Sequence, residues 1–342
     1  MRLLKQLFLF CIGVFSFLSA DASMNNLNEP QITPSAGPRV QDGADVLFTA
    51  DILYWHASQQ NLLYAFSAPI DNSELVGSVF SPNYQFDGGF QLGFGLQLGH
   101  DGWDIYANYT WYHPESEGNS FADDPDIDLS YHQARNFRHQ FESGKINYHL
   151  ELDVIDFEIA RNYFISQYLA LRPFVGLKTA WNRMHSKQYF KNASHLYEIY
   201  SKQNAFEIGP RTGVNVHYDI NSNWSIFLNT AFSALAESCK SHVRTINHID
   251  ADNANVIANI ADDQNLTQPV VELGAGIEWD IWSDSEEYHL GVCFGWDFQY
   301  WNNNLYLKDT KIDTNDELVY ETYRRVGDLS IQGLNIKFRF DF

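Results

Sequence analysis

The sequence has few cysteines, little positive charge and only one long apolar run, and each shortage excludes a class of protein. It has 3 Cys in 342 residues. Cys11 lies in the apolar run, which leaves only Cys239 and Cys293, too few for a disulfide-built scaffold. Lys and Arg number 22 against 43 Asp and Glu, so the formal net charge is −21. An acidic chain repels a phosphate backbone, so nucleic acid is not expected as a partner.

The single long apolar run lies at the N-terminus and has the features of a secretory signal peptide. Two basic residues precede an apolar core at 7–18, and the small residues Ala20 and Ala22 form a cleavage site. The core is short for a membrane span of about 20 residues, which makes a retained anchor the weaker alternative. We predict a signal peptide at 1–22, cleaved near Ala22, and a flexible segment at 23–43.

The remaining chain, residues 44–342, spreads its apolar residues out. Phe, Tyr and Trp make up 15% of the sequence, yet mean hydropathy is only −0.32, because apolar and polar residues alternate. The last nine residues, LNIKFRFDF, show this alternation most clearly. One strand face would carry Leu334, Ile336, Phe338, Phe340 and Phe342. Successive side chains of a strand point to opposite faces, so this strand would be apolar on one side and polar on the other.

The same pattern recurs along the chain and predicts an all-β fold, a transmembrane antiparallel up-and-down β-barrel of about 10 strands, with 8 or 12 as alternatives. The strands are predicted at 45–57, 83–99, 103–113, 146–165, 168–182, 203–219, 223–236, 268–282, 287–302 and 328–342. Short and long connections alternate, as short periplasmic turns and long extracellular loops do in outer-membrane barrels. The last strand should close on the first, because hydrocarbon does not tolerate an open sheet edge.

One predicted strand changes phase. Near Val154 and Ile155 the alternation shifts by one residue, which predicts a β-bulge and places both Asp153 and Asp156 inward.

Several sequence blocks resemble a known family. They are ADILYWHASQQNLLYA, GFGLQLGHDGWDIYANYTWYH, LALRPFVGLKTAW, FEIGPRTGVNV, FGWDFQYWNNN and the final RFDF. They are similar to the major outer membrane protein family of Legionella and the Chlamydia-like bacteria. The resemblance implies a porin-like, surface-exposed barrel in a Gram-negative outer membrane. The C-terminal Phe338, Phe340 and Phe342 resemble the signal read by the barrel assembly machinery. Expected partners are therefore this machinery, outer-membrane lipid and small solutes; the sequence leaves the oligomeric state open.

The inward faces of the strands carry the residues expected to determine function. The lumen-lining candidates are Asp51, Asp104, Glu158, Arg172, Lys178, Glu207, Arg211, Glu272, Glu278, Asp297, Lys337 and Arg339. Acids exceed bases, so a conducting barrel is expected to prefer cations weakly. Two interpretations stay open. Inward glycines such as Gly93, Gly213 and Gly276 leave space for a water-filled channel, whereas about eight strands leave room only for side chains.

The expected function is porin-like passage of small solutes. A non-conducting, surface-exposed structural or adhesion protein is the alternative. A rim hydrolase of omptin type is third, because histidines crowd the predicted outer loops. These are His113, His132, His139, His195, His242 and His248. No Ser-His-Asp, HExxH or Cys/His ligand spacing accompanies them, so we expect no enzyme, metal site or cofactor.

The two remaining cysteines are predicted near opposite ends of their strands. Cys239 lies past the outer end of one strand, and Cys293 lies a few residues from a short turn. Their Cα atoms should be much farther apart than the ~7 Å limit for a disulfide, so we expect both thiols to be free.

Overall fold

The structure is a computed structural model that describes residues 46–69, 78–98, 103–121, 127–131, 141–193, 196–250, 253–282, 288–313 and 319–342. These residues are mostly β-strand. The strands are β1 (Val46–Gln59), β2 (Ala65–Pro69), β3 (Ser78–Phe80), β4 (Phe86–Gln97), β5 (Trp103–Tyr112), β6 (Glu115–Phe121), β7 (Ile127–Tyr131), β8 (Ser143–Arg161), β9 (Tyr163–Phe164), β10 (Leu169–Lys191), β11 (Leu196–Asp219), β12 (Trp224–Asp250), β13 (Asn253–Trp282), β14 (His289–Asp313) and β15 (Val319–Asp341). The predicted signal peptide and flexible segment lie outside the described residues. Within those residues, no helix is long and apolar enough to cross a membrane.

Twelve of these strands form one antiparallel sheet that closes into a ring. The order is β6-β8-β5-β4-β1-β15-β14-β13-β12-β11-β10-β9, and an additional β8–β10 pairing joins its ends. β5 and β6 pair with successive parts of β8, so the two strands together occupy one position in the ring. In the same way, β8 and β9 pair with successive parts of β10 and occupy one position. A path around the ring therefore crosses ten of the described strands, which agrees with the predicted number. The short strands β2, β3 and β7 form a separate three-stranded sheet.

The last strand closes the ring against the first. β15 pairs antiparallel with β1, with Leu47 opposite Asp341. The backbones of Val46 and Phe342 exchange two N–H···O=C bonds of 3.0 Å each. The predicted closure is confirmed, and the pairing uses the chain to its final residue.

The half of the barrel nearer the short turns, here called the turn half, is apolar outside. Its strands expose large apolar side chains that would be buried in a protein surrounded by water. Examples, taken around the ring, are Ile52, Phe94, Phe157, Val175, Ile208, Leu228, Ile277, Phe294 and Phe338. We call this zone the apolar band. A continuous apolar surface of this kind marks contact with something other than water.

The other half, nearer the long connections and here called the loop half, has the opposite polarity. In β8, Ile146, Leu150 and Leu152 point inward and are almost completely buried. The residues between them, such as Asn147 and His149, lie on the outer face. The alternation continues without a break, but the apolar side of the strand now faces the interior. The outer face of the loop half is in contact with water, so it is polar.

This inversion explains an error in the sequence analysis. The pairing of β8 with β10 runs from Ser143 to Ala160 without a register shift, so the bulge predicted near Val154 and Ile155 is wrong. Asp153 lies on the outer face and accepts a 2.7 Å hydrogen bond from the Tyr109 hydroxyl. At this point the outer surroundings of the strand change from apolar to aqueous, whereas the alternation of inward and outward side chains continues unbroken.

Because of the same inversion, several strands are longer than the sequence pattern predicted. Strands predicted to end at residues 182, 236 and 302 continue to Lys191 in β10, Asp250 in β12 and Asp313 in β14. The long connections therefore contain paired strand hairpins. Their alternation has the reverse polarity, so the pattern of outward apolar residues ends where these hairpins begin.

The inward residues of the loop half form a buried hydrophobic cluster, here called the apolar cap. Its larger members are Leu53, Trp55, Tyr112, Ile146, Tyr148, Leu150, Leu152, Met184, Phe190, Tyr197, Ile199, Trp301, Leu305, Leu307, Leu329 and Ile331. Nearly every strand of the ring contributes to it. After β1 the chain turns at Asn61, whose φ of 59° lies in the left-handed region that Asn tolerates. The turn directs Leu62 and Tyr64 into the same cluster.

Candidate functional site: the charged cavity

The interior of the turn half contains a cavity of about 600 Å³. It begins at the short-turn end, where Asn221, Ser222 and Asp341 line it, and it extends to Trp55 and Leu152. Those two residues belong to the apolar cap. The cavity therefore meets a hydrophobic cluster at the level where the polarity of the barrel inverts.

The structure places ten of the twelve lumen-lining candidates on the cavity wall. They are Asp104, Glu158, Arg172, Lys178, Arg211, Glu272, Glu278, Asp297, Lys337 and Arg339. Asp51 is buried behind them beside Lys337, and Glu207 lies farther from the short turns beside Asn182. That these residues line a conducting path stays a prediction.

Three carboxylates and two bases meet in the middle of the cavity. The Lys178 ammonium lies 2.9 Å from both Asp156 Oδ1 and Glu272 Oε1. Arg211 Nη2 donates to Glu272 Oε2 at 2.9 Å, and its other terminal nitrogen contacts Glu158. Four strands, β8, β10, β11 and β13, are joined by these contacts. Charged groups removed from water require such partners, so the network fills part of the lumen.

A second arginine extends this network toward the short turns. Arg172 Nε donates to Asp104 Oδ2 at 3.0 Å, and its Nη1 donates to Glu158 Oε2 at 3.0 Å. Arg172 and Arg211 thus share Glu158. The carboxylate is held between two guanidinium groups, each of which can bind a carboxylate through more than one N–H.

The opposite wall carries a more weakly paired cluster. Lys337 Nζ lies 3.6 Å from Asp51 Oδ2. The Asn335 amide donates to Asp297 Oδ2 at 2.8 Å and to Asp51 Oδ2 at 3.2 Å. Two carboxylates here share one lysine and one amide, so this cluster, like the larger network, has one more acid than base.

Two histidines on the cavity wall were missed by the sequence analysis. His217 Nδ1 lies 3.2 Å from Glu278 Oε2. His289 lies between Asp280 and Asp341, at 2.8 Å and 2.6 Å from their carboxylate oxygens. Both occupy inward positions of the alternation in β11 and β14, and this phase is the signal that could have found them.

Carboxylates outnumber bases on the cavity wall. It carries nine Asp and Glu side chains, five Lys and Arg, and two His. With neutral histidines, the wall has a net negative charge, and low-dielectric walls strengthen its field.

Three of the inward glycines, Gly93, Gly213 and Gly276, do not leave the lumen open, because aromatic side chains occupy the space beside them. A Cβ at Gly93 would meet the Tyr106 hydroxyl, and a Cβ at Gly213 would meet the Phe174 ring. Phe227 fills the equivalent space beside Gly276. The interpretation that these glycines widen a channel is therefore wrong in this conformation; they let bulky rings from neighbouring strands lie across the lumen.

Two acids lie between the cavity and the cap. Glu207 and Glu237 face each other on β11 and β12, and both are almost completely buried. Asn182 Nδ2 lies 3.5 Å from Glu207 Oε1. Glu237 lies at the loop-half edge of the apolar band. Ser238, the next residue on the outer face of β12, is exposed and pairs with Phe206, the last large apolar residue on the outer face of β11 before Asn204. Burial raises the pKa of Glu237 to about 7, although a hydrogen bond with the Cys239 thiol lowers it slightly.

The two described cysteines, Cys239 and Cys293, are free, as predicted, and both are buried. Cys239 lies beside Glu237, and burial, together with that carboxylate, raises the pKa of its thiol well above the ordinary value. A thiol in such surroundings stays protonated and is a poor nucleophile.

The outer histidines do not share one site in the described part of the chain. His113 lies 3.4 Å from Asp153, His242 contacts Asn259 at 2.6 Å, and His248 lies 3.5 Å from Glu198. The other three, His132, His139 and His195, lie outside the described residues. Where side chains are described, no three His, Cys, Asp or Glu are grouped so as to hold a metal ion.

The three C-terminal phenylalanines lie on the outer face of β15. Phe338, Phe340 and Phe342 are each 37–47% exposed. Phe340 stacks on Tyr288 with ring centroids 6.1 Å apart and contacts Phe342 at 5.5 Å. They form the end of the apolar band at the short turns; their role as an assembly signal stays a prediction.

Solved barrels with a distant likeness come from several bacteria. The outer membrane protease OmpT from Escherichia coli is 9% identical, with a TM-score of 0.43, covering 91% of this chain and 99% of that one. The toluene transporter TbuX from Ralstonia pickettii is 9% identical, with a TM-score of 0.33 and coverages of 88% and 90%. TodX from Pseudomonas putida is 7% identical, with a TM-score of 0.29 and coverages of 87% and 90%. These likenesses are too distant to carry an argument about activity.

Comparison with protein families gives the more informative match. No curated protein sequence matches the chain. The family model described as the Legionella pneumophila major outer membrane protein precursor matches residues 38–342. That range includes every strand of the ring, its apolar band and its charged cavity. The chain is therefore an outer-membrane β-barrel and belongs to the Legionella major outer membrane protein family.

Proposed function

We propose that the barrel passes small solutes across the outer membrane, with a weak preference for cations, and that the apolar cap closes this path in the conformation described. The observation that carries the proposal is the cavity of about 600 Å³, with nine carboxylates and five Lys and Arg on its wall. A negative wall attracts cations and repels anions. Short turns face the periplasm in such barrels, so the cavity is expected to fill from that side.

The cap supports a second candidate. A hydrophobic cluster contributed by nearly every strand would exclude water and ions, as expected of a non-conducting structural or adhesion protein. The two candidates differ in whether the cap can be displaced. A substitution at Leu62 can test this, because the residue reaches the cap from the segment after β1 and belongs to no strand of the ring.

Conductance in planar bilayers tests the proposal. We expect small, infrequent steps from the refolded wild type, and larger or longer openings from Leu62→Ser, which places a hydroxyl in the cap. Gln60→Ser, at an exposed neighbour in the same segment, is the matched control. Silence from both the wild type and Leu62→Ser, with normal folding, would favour the non-conducting candidate.

Reversal potentials under a KCl gradient test the cation preference. It should be visible at low salt and fade near 1 M, where the Debye length is about 3 Å. Clear anion preference at low salt would contradict it. The absence of enzymatic activity stays a prediction, to be checked by incubating the folded barrel with peptide substrates.

A further inference from the structure

The outer wall of the loop half carries a basic patch on β10, β11 and β12. It consists of Arg183 and Lys187 on β10, Lys202 on β11, and Lys240 and Arg244 on β12. These residues alternate with the buried residues of the cap, so their side chains lie on the outer face. In a chain with only 22 Lys and Arg against 43 acids, such a concentration is unusual.

Strand register arranges the patch in three rows. The first row across the wall is Arg183, Asn204 and Lys240; the second is His185, Lys202 and His242; the third is Lys187, Tyr200 and Arg244. Neighbouring strands lie about 4.8 Å apart and alternate residues about 6.6 Å apart, so the patch spans roughly 10 by 13 Å.

The first row begins directly beyond the apolar band. One residue pair nearer the short turns, Trp181 and Phe206 lie on the same outer face with their ring centroids 5.7 Å apart. Trp and other aromatic rings of membrane proteins lie at the level of the lipid headgroups. The patch is thus at or just above the headgroups of the outer leaflet.

Few acids neutralise the patch. Arg183 pairs with Glu151 at 2.9 Å and with Asp153 at 3.4 Å, and Lys240 lies 4.0 Å from Asp263, all at the edges of the wall. Among the described residues, Lys187, Lys202 and Arg244 form no ion pair.

The middle row sets Lys202 directly between His185 and His242. A protonated histidine here would stand directly opposite the lysine, and like charges so placed destabilise a sheet. Burial, and next the neighbouring Lys202, lower the pKa of His185. The row itself therefore offers no anionic partner to Lys202, whose ammonium is left to bind an anion from outside the protein.

We propose that this basic patch binds the phosphate groups of the anionic glycolipid in the outer leaflet. Lys and Arg donate charge-assisted hydrogen bonds to phosphate, and basic clusters beside a membrane bind anionic headgroups. Trp181 and Phe206 would contact the acyl chains of the same lipid. The height of the patch, its charge and its adjoining rings fit one lipid molecule lying against the β10–β12 wall.

The test measures binding of lipid A with two phosphates to the mature, folded protein in detergent micelles. The triple variant Lys187→Gln, Lys202→Gln and Arg244→Gln should weaken binding about fivefold per charge lost, on the order of 100-fold in all. The matched control removes three basic residues away from the β10–β12 wall, through Arg161→Gln, Lys308→Gln and Arg324→Gln. It should bind as the wild type does.

Further measurements test whether the lipid phosphates are the groups that the patch binds. Asp263→Asn should tighten binding a few-fold, because it frees Lys240. Dephosphorylated lipid A should bind the wild type as weakly as the intact lipid binds the triple variant. Heat-modifiable migration confirms that each variant is folded. Equal binding by the two triple variants, equal binding of both lipids, or displacement of the lipid by equimolar inorganic phosphate would each overturn the proposal.

Discussion

The turn half and the loop half use the same strands with opposite polarity, and β12 shows both. Near its start, Leu228 is exposed on the outer face while Ser225 is buried inside. Farther along, Ser238 and Lys240 are outside while Val243 is buried inside. Backbone pairing is continuous through both halves, so the surroundings select which face is apolar. One half is solvated by lipid and filled with ion pairs; the other is solvated by water and filled with hydrocarbon.

The largest expected effect follows from the end of the turn half. Phe342 closes the ring through two backbone bonds to Val46 and ends the apolar band. We expect its deletion, or Phe342→Asp, to block assembly in cells, as its resemblance to an assembly signal also suggests. Heat-modifiable migration and membrane yield measure this. Phe342→Tyr, which keeps an aromatic ring at this position, is the control; full yield from the deletion would show that the last residue is dispensable.

Removing an inward acid of the turn half should have the next largest effect. Glu272 binds both Lys178 and Arg211, so Glu272→Ala leaves two buried cations underpaired. Loss of one partner from a buried ion pair costs about 3–5 kcal/mol. Urea unfolding of the refolded barrel measures the change. An effect below about 1 kcal/mol would mean that water reaches this network freely.

The outer face offers a direct comparison of the halves on a single strand. Leu228→Arg, in the apolar band, should cost about 2–4 kcal/mol near the bilayer midplane. Ser238→Arg, on the same face at the edge of the band and level with Phe206, should cost only about 0–1 kcal/mol. Unfolding in lipid bilayers compares the two. Equal losses would place the membrane boundary farther along β12 than the polarity inversion indicates.

The sequence was sufficient for the turn half and misleading for the loop half. Outward apolar residues such as Phe94 and Ile226 repeat with period two, so strands, phase and the inward charged residues followed directly. In the loop half the same period has reversed polarity. Val154 and Ile155, at the reversal in β8, therefore resembled a bulge. Contacts among distant strands, such as Glu272 with Lys178, depend on barrel closure and are not encoded in any local pattern.

The last comparison concerns an acid of the loop half. Its removal should stabilise the folded barrel, whereas removal of Glu272 should destabilise it. Burial raises the pKa of Glu237 from an ordinary 4.5 to about 7. Between these values the folded state holds a proton that the unfolded state has lost. Stability therefore falls as pH rises from about 4.5 to 7, and the loss is complete above 7.

Glu237→Gln removes this penalty because the amide never ionises. We expect the variant to gain up to about 3 kcal/mol over the wild type at pH 8 and almost nothing at pH 4. Urea midpoints at the two pH values measure the difference, and Glu117→Gln, at an exposed carboxylate of β6, is the control. A gain of equal size at both pH values would attribute the effect to packing. A loss at pH 8 would mean that Glu237 is ionised and paired, and that the loop half holds its charges as the turn half does.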